Sequence, residues 1–214
     1  MLHIFPSLMV ADQLRLGQEV ALLDAHCSGF HLDIMDGHFV PNITFGPILI
    51  NAVDRMSRNP SWVHLMVDNP SFWVDRLVLK AESIVSFHIE SNFDFQYIVS
   101  QIKEKKLRAS LAINPKTRVE KLFDFLNPMI DHVLIMSVEP GFSGQKFLPE
   151  VLHKIPALQK YCREHQLSCS IGLDGGIVPA LVPEIKRLGV DHIAASSSIF
   201  NYDDRITALE RLRE

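Results

Sequence analysis

Cysteine is scarce in this chain. Cys27, Cys162 and Cys169 are its only three, an odd and widely spaced set without a CxxC pair. Such a set excludes a disulfide framework and a thiolate metal site, and marks the three as small core hydrophobes. Basic runs are missing as well. Lys and Arg number 21 against 25 acidic residues, a formal net charge of −4, and no stripe of basic residues interleaved with aromatics offers itself to nucleic acid or to an anionic membrane. No apolar stretch approaches membrane-spanning length. The start Met1-Leu2-His3-Ile4-Phe5-Pro6-Ser7 lacks the basic segment and long apolar run of a signal peptide, so a cytoplasmic location is expected.

What the chain does have is one long alternation. Its 214 residues, 47% hydrophobic, suffice for one substantial core, and residues 1–214 read as a single domain. Short apolar runs predict strands near Ile4 to Ser7, Phe30 to Met35, Trp62 to Met66, Ile84 to His88, Arg108 to Ile113, His132 to Met136, Ser168 to Leu173 and His192 to Ala195. Stretches of helical periodicity lie between and after them: Leu14 to Ala25, Ile48 to Met56, Ser71 to Lys80, Phe95 to Lys105, Val119 to Leu126, Glu150 to His165, Pro179 to Leu188 and Asp204 to Leu212. Strands each followed by a helix close into an α/β fold of the (β/α)8 TIM barrel type. An open doubly wound sheet would carry glycines in its first βα turn, and Pro6-Ser7-Leu8-Met9 has none.

In a barrel the chemistry sits at the C-terminal strand ends. His31, Asp33 and Met35 alternate along one face of the second predicted strand, an imidazole and a carboxylate on a surface that must be buried. His64 ends the third strand, with Met66 on the same face, and Asp174 follows the seventh. Two imidazoles and two carboxylates form a ligand set suited to one divalent ion, Zn, Fe(II), Mn or Co. Glycines and small residues follow strands six, seven and eight: Pro140-Gly141-Phe142-Ser143-Gly144-Gln145, Gly175-Gly176 and Ala195-Ser196-Ser197-Ser198. Loops of this kind are the usual phosphate cradle of a barrel. The remaining histidines, His3 and His88 among them, carry no assigned chemistry; of these His88 falls at a strand end.

These residues bring a family into view. Pro6-Ser7-Leu8, the stretch from His31 to Asn42, His64-Leu65-Met66-Val67, Phe87-His88, Asn114-Pro115, Met136-Ser137-Val138, Pro140-Gly141-Phe142, Gly144-Gln145 and Asp174-Gly175-Gly176 closely resemble the ribulose-phosphate 3-epimerase family over nearly the whole chain. The resemblance implies that His31, Asp33, His64 and Asp174 are metal ligands and that Asp33 and Asp174 are the acid/base pair. It implies that Ser7 and His64 contact substrate, that Met35, Met66 and Met136 line the site, and that phosphate lies against Gly141, Phe142, Ser143, Gly144, Gly175, Gly176, Ser196 and Ser197. The implied reaction is metal-dependent interconversion of two ketose phosphates differing at C3, ribulose 5-phosphate to xylulose 5-phosphate foremost, in a homo-oligomer. The chain departs from the family pattern at Glu139, where Asn or Asp is usual, at Ser143 and Ser196, where glycine is usual, and at Arg118, where proline is usual. These departures keep a six-carbon substrate such as allulose 6-phosphate in play, and a metal-containing sugar-phosphate sensor is a more distant alternative. A Schiff-base aldolase is disfavoured, because no strand-end lysine appears.

Overall fold

The structure, a computed structural model, describes residues 1–214. Eight strands form one parallel sheet: β1 (His3–Pro6), β2 (His31–Met35), β3 (Trp62–Met66), β4 (Ile84–His88), β5 (Arg108–Ile113), β6 (His132–Met136), β7 (Ser170–Asp174) and β8 (His192–Ala195). Each neighbours the next in sequence, β8 returns to β1, and a parallel bridge from Ser7 to His31 joins β1 to β2. The sheet is thereby a (β/α)8 barrel. Both faces of such a sheet are covered, which is why its strands read as near-continuous apolar runs. Phe30 just before β2, Leu32 and Ile34 of β2, and Val63 and Leu65 of β3 join the large core between strands and helices. The inward residues form a separate core, with Phe5, Trp62, Ile84, Ala112, Leu134 and Met136 at its heart.

The helices are α1 (Leu16–Leu23), α2 (Pro47–Met56), α3 (Pro70–Arg76), α4 (Phe95–Glu104), α5 (Glu120–Phe123), α6 (Lys154–Glu164), α7 (Val182–Arg187), α8 (Ser197–Phe200) and α9 (Arg205–Glu210). Several depart from the expected spans for visible reasons. α3 stops at Arg76 rather than Lys80. Side chains of α2 serve the following backbone instead, Asn51 bonding Arg76 O and Val78 N–H, and Asp54 accepting from Lys80 N–H. The span expected from Glu150 to His165 divides into a 3-10 turn at Pro149–His153 and α6, and that from Pro179 to Leu188 into a 3-10 turn at Pro179–Leu181 and α7. Each break is followed by a proline, Pro156 or Pro183, that has no N–H for the α-helical bond to the fourth residue before it. α5 is one turn long, well short of the stretch to Leu126. α8 was absent from the periodicity because it has only four residues.

Capping sets several helix ends. Asp94 accepts from Tyr97 N–H at 3.0 Å to start α4, and Asp204 accepts from Thr207 N–H at 3.0 Å to start α9. Lys106 and Gln166 take positive φ just beyond α4 and α6, reversing the chain into the next strand. No helix is long and apolar enough to cross a membrane.

Candidate active site

The inward face of β2 and its neighbours delivers the polar cluster. Register places Asp33 beside His64, and Met136 beside Asp174. Asp174 is the last residue of β7, one position earlier in the architecture than a residue following the strand. His31 Nε2 lies 3.2 Å from Asp33 Oδ1 and 3.5 Å from Asp174 Oδ2; His64 Nδ1 lies at the same two distances from the same two oxygens. One ligand atom from each of the four residues falls within 4.8 Å of the others. Both imidazoles are fully buried. The carboxylates stand in front of them, and Asp33 and Asp174, not the two histidines, line the cavity.

Electrostatics follow from that packing. Burial alone would drive the proton from His31, but the charges of Asp33 and Asp174 overcome it and push its pKa up to about 10. His64 is raised by the same contest between burial and the two carboxylates. Burial would raise the carboxyls, yet the facing imidazoliums hold Asp33 and Asp174 below the ordinary range. Ser7 adds a hydrogen bond, its hydroxyl donating to Asp33 Oδ2 at 2.7 Å. Without a metal, then, protons on the histidines hold the carboxylates together.

The other wall of the cavity is made by three loops. Gly141, Phe142, Ser143 and Gly144 follow β6, Gly175 and Gly176 follow β7, and Ser196 and Ser197 follow β8; all eight line the same cavity as Ser7, Asp33 and Asp174. Gly176 has φ +66°, and a Cβ there would sit 2.4 Å from the backbone nitrogen of Phe147, so the β6 and β7 loops meet only because no side chain intervenes. The loop after β2 closes over the top through Asn42, whose amide donates to Gly141 O at 2.7 Å. Met35, Met66 and Met136 line the cavity as well. Ser196 is the one cradle residue whose hydroxyl is already committed, donating to Ser7 O at 2.9 Å.

Beyond the expected residues, Met9 and Ile177 line the cavity. A buried chain also runs behind it. His64 Nε2 lies 2.8 Å from His88 Nε2, and His88 Nδ1 lies 3.2 Å from Glu90 Oε2. Burial, reinforced by the charge on His64 and opposed by Glu90, pushes the His88 pKa down to about 4. Glu90 is held low against its burial by His88, Thr117 and the Asn114 N–H. Sequence reasoning reached His88 but not Glu90, although His88-x-Glu90 repeats at the end of β4 the spacing of His31-x-Asp33 on β2.

Paired carboxylates at the strand ends of a (β/α)8 barrel, opposite loops of glycine and serine, stand where the active sites of barrel enzymes lie. Residues 3–200 match the Ribulose-phosphate 3 epimerase family. The ribulose-phosphate 3-epimerase of Synechocystis sp. is 38% identical over 98% of this chain and 92% of its own length. That of Helicobacter pylori is 36% identical over 99% of this chain and 97% of its own. The chain belongs to this family and is an isomerase. Among solved structures, 3-hexulose-6-phosphate synthase from Salmonella typhimurium superposes with a TM-score of 0.69 at 12% identity, over 99% of this chain and 96% of that one, which is a likeness of fold.

Proposed function

We propose that the cavity epimerises a ketose phosphate at C3, with D-ribulose 5-phosphate and D-xylulose 5-phosphate as the pair, and that His31, Asp33, His64 and Asp174 hold one divalent ion. The observation that carries this reading is the pair of carboxylates, Asp33 and Asp174, standing on the cavity wall between two buried imidazoles and a glycine-serine cradle. The donors fit a metal. Two nitrogens and two carboxylate oxygens suit Zn, Fe, Mn or Co, and the four atoms already converge. Bound there, the ion would supply Lewis-acid stabilisation of the charge that develops as the proton leaves carbon.

The rest of the chemistry belongs to the chain. One carboxylate, ionised, takes the C3 proton from one face of the sugar; the other, protonated, returns a proton to the opposite face, and the roles exchange with direction. Ser7 holds Asp33 in place through its 2.7 Å hydrogen bond. Met35, Met66 and Met136 wall the reacting carbon with thioethers, which donate no proton and exclude water. Backbone N–H groups of the β6, β7 and β8 loops hold the phosphate away from the acid/base pair. Purified protein assayed on ribulose 5-phosphate and on allulose 6-phosphate, metal-loaded and chelator-stripped, tests the reading. Turnover of the five-carbon substrate with metal is expected; loaded protein that turns over neither would sink it, and preference for allulose 6-phosphate would reassign the substrate.

Two further outcomes follow from the geometry. Metal uptake should release protons and weaken as the pH falls, because His31, with its pKa near 10 in the metal-free protein, must give up a proton to offer its lone pair. Calorimetry in buffers of different ionisation enthalpy reads this directly, and uptake without proton release would mean that the imidazoles are neutral beforehand. Ser196→Gly should cost about 0.5–1.5 kcal/mol of stability, the usual worth of one hydrogen bond, because its hydroxyl serves Ser7 O. KM should change little. A KM raised tenfold at unchanged stability would show that the hydroxyl turns to the phosphate instead.

A further inference from the structure

His64 has two ring nitrogens, and a metal ligand must present a lone pair on the one that faces the ion. Nδ1 is that nitrogen, 3.2 Å from Asp33 Oδ1. Which nitrogen carries the proton is settled by the partner of the other, and in a buried site that partner has to be built.

The partner is His88, whose Nε2 lies 2.8 Å from His64 Nε2. Two ring nitrogens at this distance share one proton: one donates and the other accepts. Glu90 decides between them. Its Oε1 accepts from Asn114 N–H at 2.9 Å and from the Thr117 hydroxyl, and its Oε2 lies 3.2 Å from His88 Nδ1. An ionised carboxylate accepts only, so His88 Nδ1 carries the hydrogen and a neutral His88 is left with a lone pair on Nε2. His64 therefore donates through Nε2–H, and its own lone pair is on Nδ1. We infer that Glu90 and His88 form a relay that orders these hydrogens and aims the His64 Nδ1 lone pair at the metal, making both of them positioning residues for the reaction.

The relay is braced on every side. Lys154 donates to Asn114 O at 2.8 Å and to Pro115 O at 2.7 Å, fixing the loop that supplies Glu90's two donors. The Phe39 ring packs on His88 with centroids 4.8 Å apart. His31 has nothing comparable: its Nδ1 is buried without a partner, and its ring is held by packing at nearly a right angle to Trp62, centroids 4.6 Å apart. The two imidazoles of the site are thus inequivalent at the nitrogen turned away from the carboxylates, hydrogen-bonded in His64 and merely packed in His31.

This inference rests on the proposed metal reading, and Glu90→Gln separates the two. The Asn114 N–H requires an oxygen at the Oε1 position, so the new amide must turn its NH2 toward His88 Nδ1. Every hydrogen in the relay then reverses, and His64 is left with a proton on Nδ1. Zinc affinity, measured by competition with a chromophoric chelator, is expected to fall 10- to 100-fold, the usual range for a lost outer partner of a ligand. Long-range proton–nitrogen spectra of 15N-histidine-labelled protein should show His88 protonated on Nδ1 in the zinc-loaded wild type and on Nε2 in the zinc-free variant. In a His88→Phe background, itself weakened by at least tenfold, Glu90→Gln should have no further effect on zinc affinity, a non-additivity that general loss of packing would not produce. Zinc affinity within twofold of wild type in Glu90→Gln, an unchanged His88 tautomer, or additive losses in the double variant would each overturn the relay while leaving the metal reading intact. Wild-type protein that binds no zinc or other divalent ion would overturn the metal reading and the relay with it.

Discussion

Asp174→Asn protein should fold and lose epimerisation by a factor of about 10²–10⁴, the usual contribution of a positioned acid or base. The amide preserves the shape at the end of β7 but cannot carry the proton. More informative is what survives. Asp33 keeps its place, held by the Ser7 hydroxyl at 2.7 Å, and can still take a proton from the one face of the sugar it addresses. In deuterated water the variant should exchange the C3 hydrogen of one epimer, slowly, without forming the other. Part of the loss reflects weaker metal binding, since Asp174 is also a proposed ligand, so the comparison is made at saturating metal. Near-normal epimerisation by the folded variant would remove Asp174 from the mechanism. Loss of epimerisation with exchange from both epimers would mean that one group serves both faces.

The strands were legible because each is buried on two sides and so reads as an apolar run with few interruptions. Where such a run is interrupted by His31, Asp33 or His64, the interruption is itself the signal of a site, since an inward polar group needs a partner. Helix ends were less legible, for reasons outside the helix concerned. α3 ends early because Asn51 and Asp54, on another helix, take over its backbone groups. The relay behind His64 was hidden in the same way. Glu90 meets Thr117 across 27 positions, and Lys154 reaches Asn114 across 40. No periodicity connects residues so far apart; only closure of the barrel does. Ser196 shows a third limit. Its position in the cavity follows from the strand pattern, but the partner of its hydroxyl, Ser7 O, depends on the side-chain rotamer.

Stripping the metal proposed for this site should abolish turnover and lower the melting temperature steeply. A ligand that binds only the folded state stabilises it by about 4.1 kcal/mol at a thousand times its dissociation constant, and for a domain of this size each kcal/mol moves the melting temperature by about 2–4 °C. Removal of a well-bound ion should therefore lower it by about 8–16 °C. His64→Ala sharpens the test. The variant loses a fully buried ring, so its metal-free form must also be less stable through packing, whatever the ring's role. The metal-induced rise in melting temperature is the quantity free of that effect, because loaded and stripped protein share the same cavity. With three ligands left and His88 Nε2 deprived of its donor, that rise should largely disappear and turnover with it. A rise as large as that of the wild type would strike His64 from the ligand set. If stripping leaves wild-type stability and turnover unchanged, His31, Asp33, His64 and Asp174 are a proton-held cluster, and the carboxylates work without an ion between them.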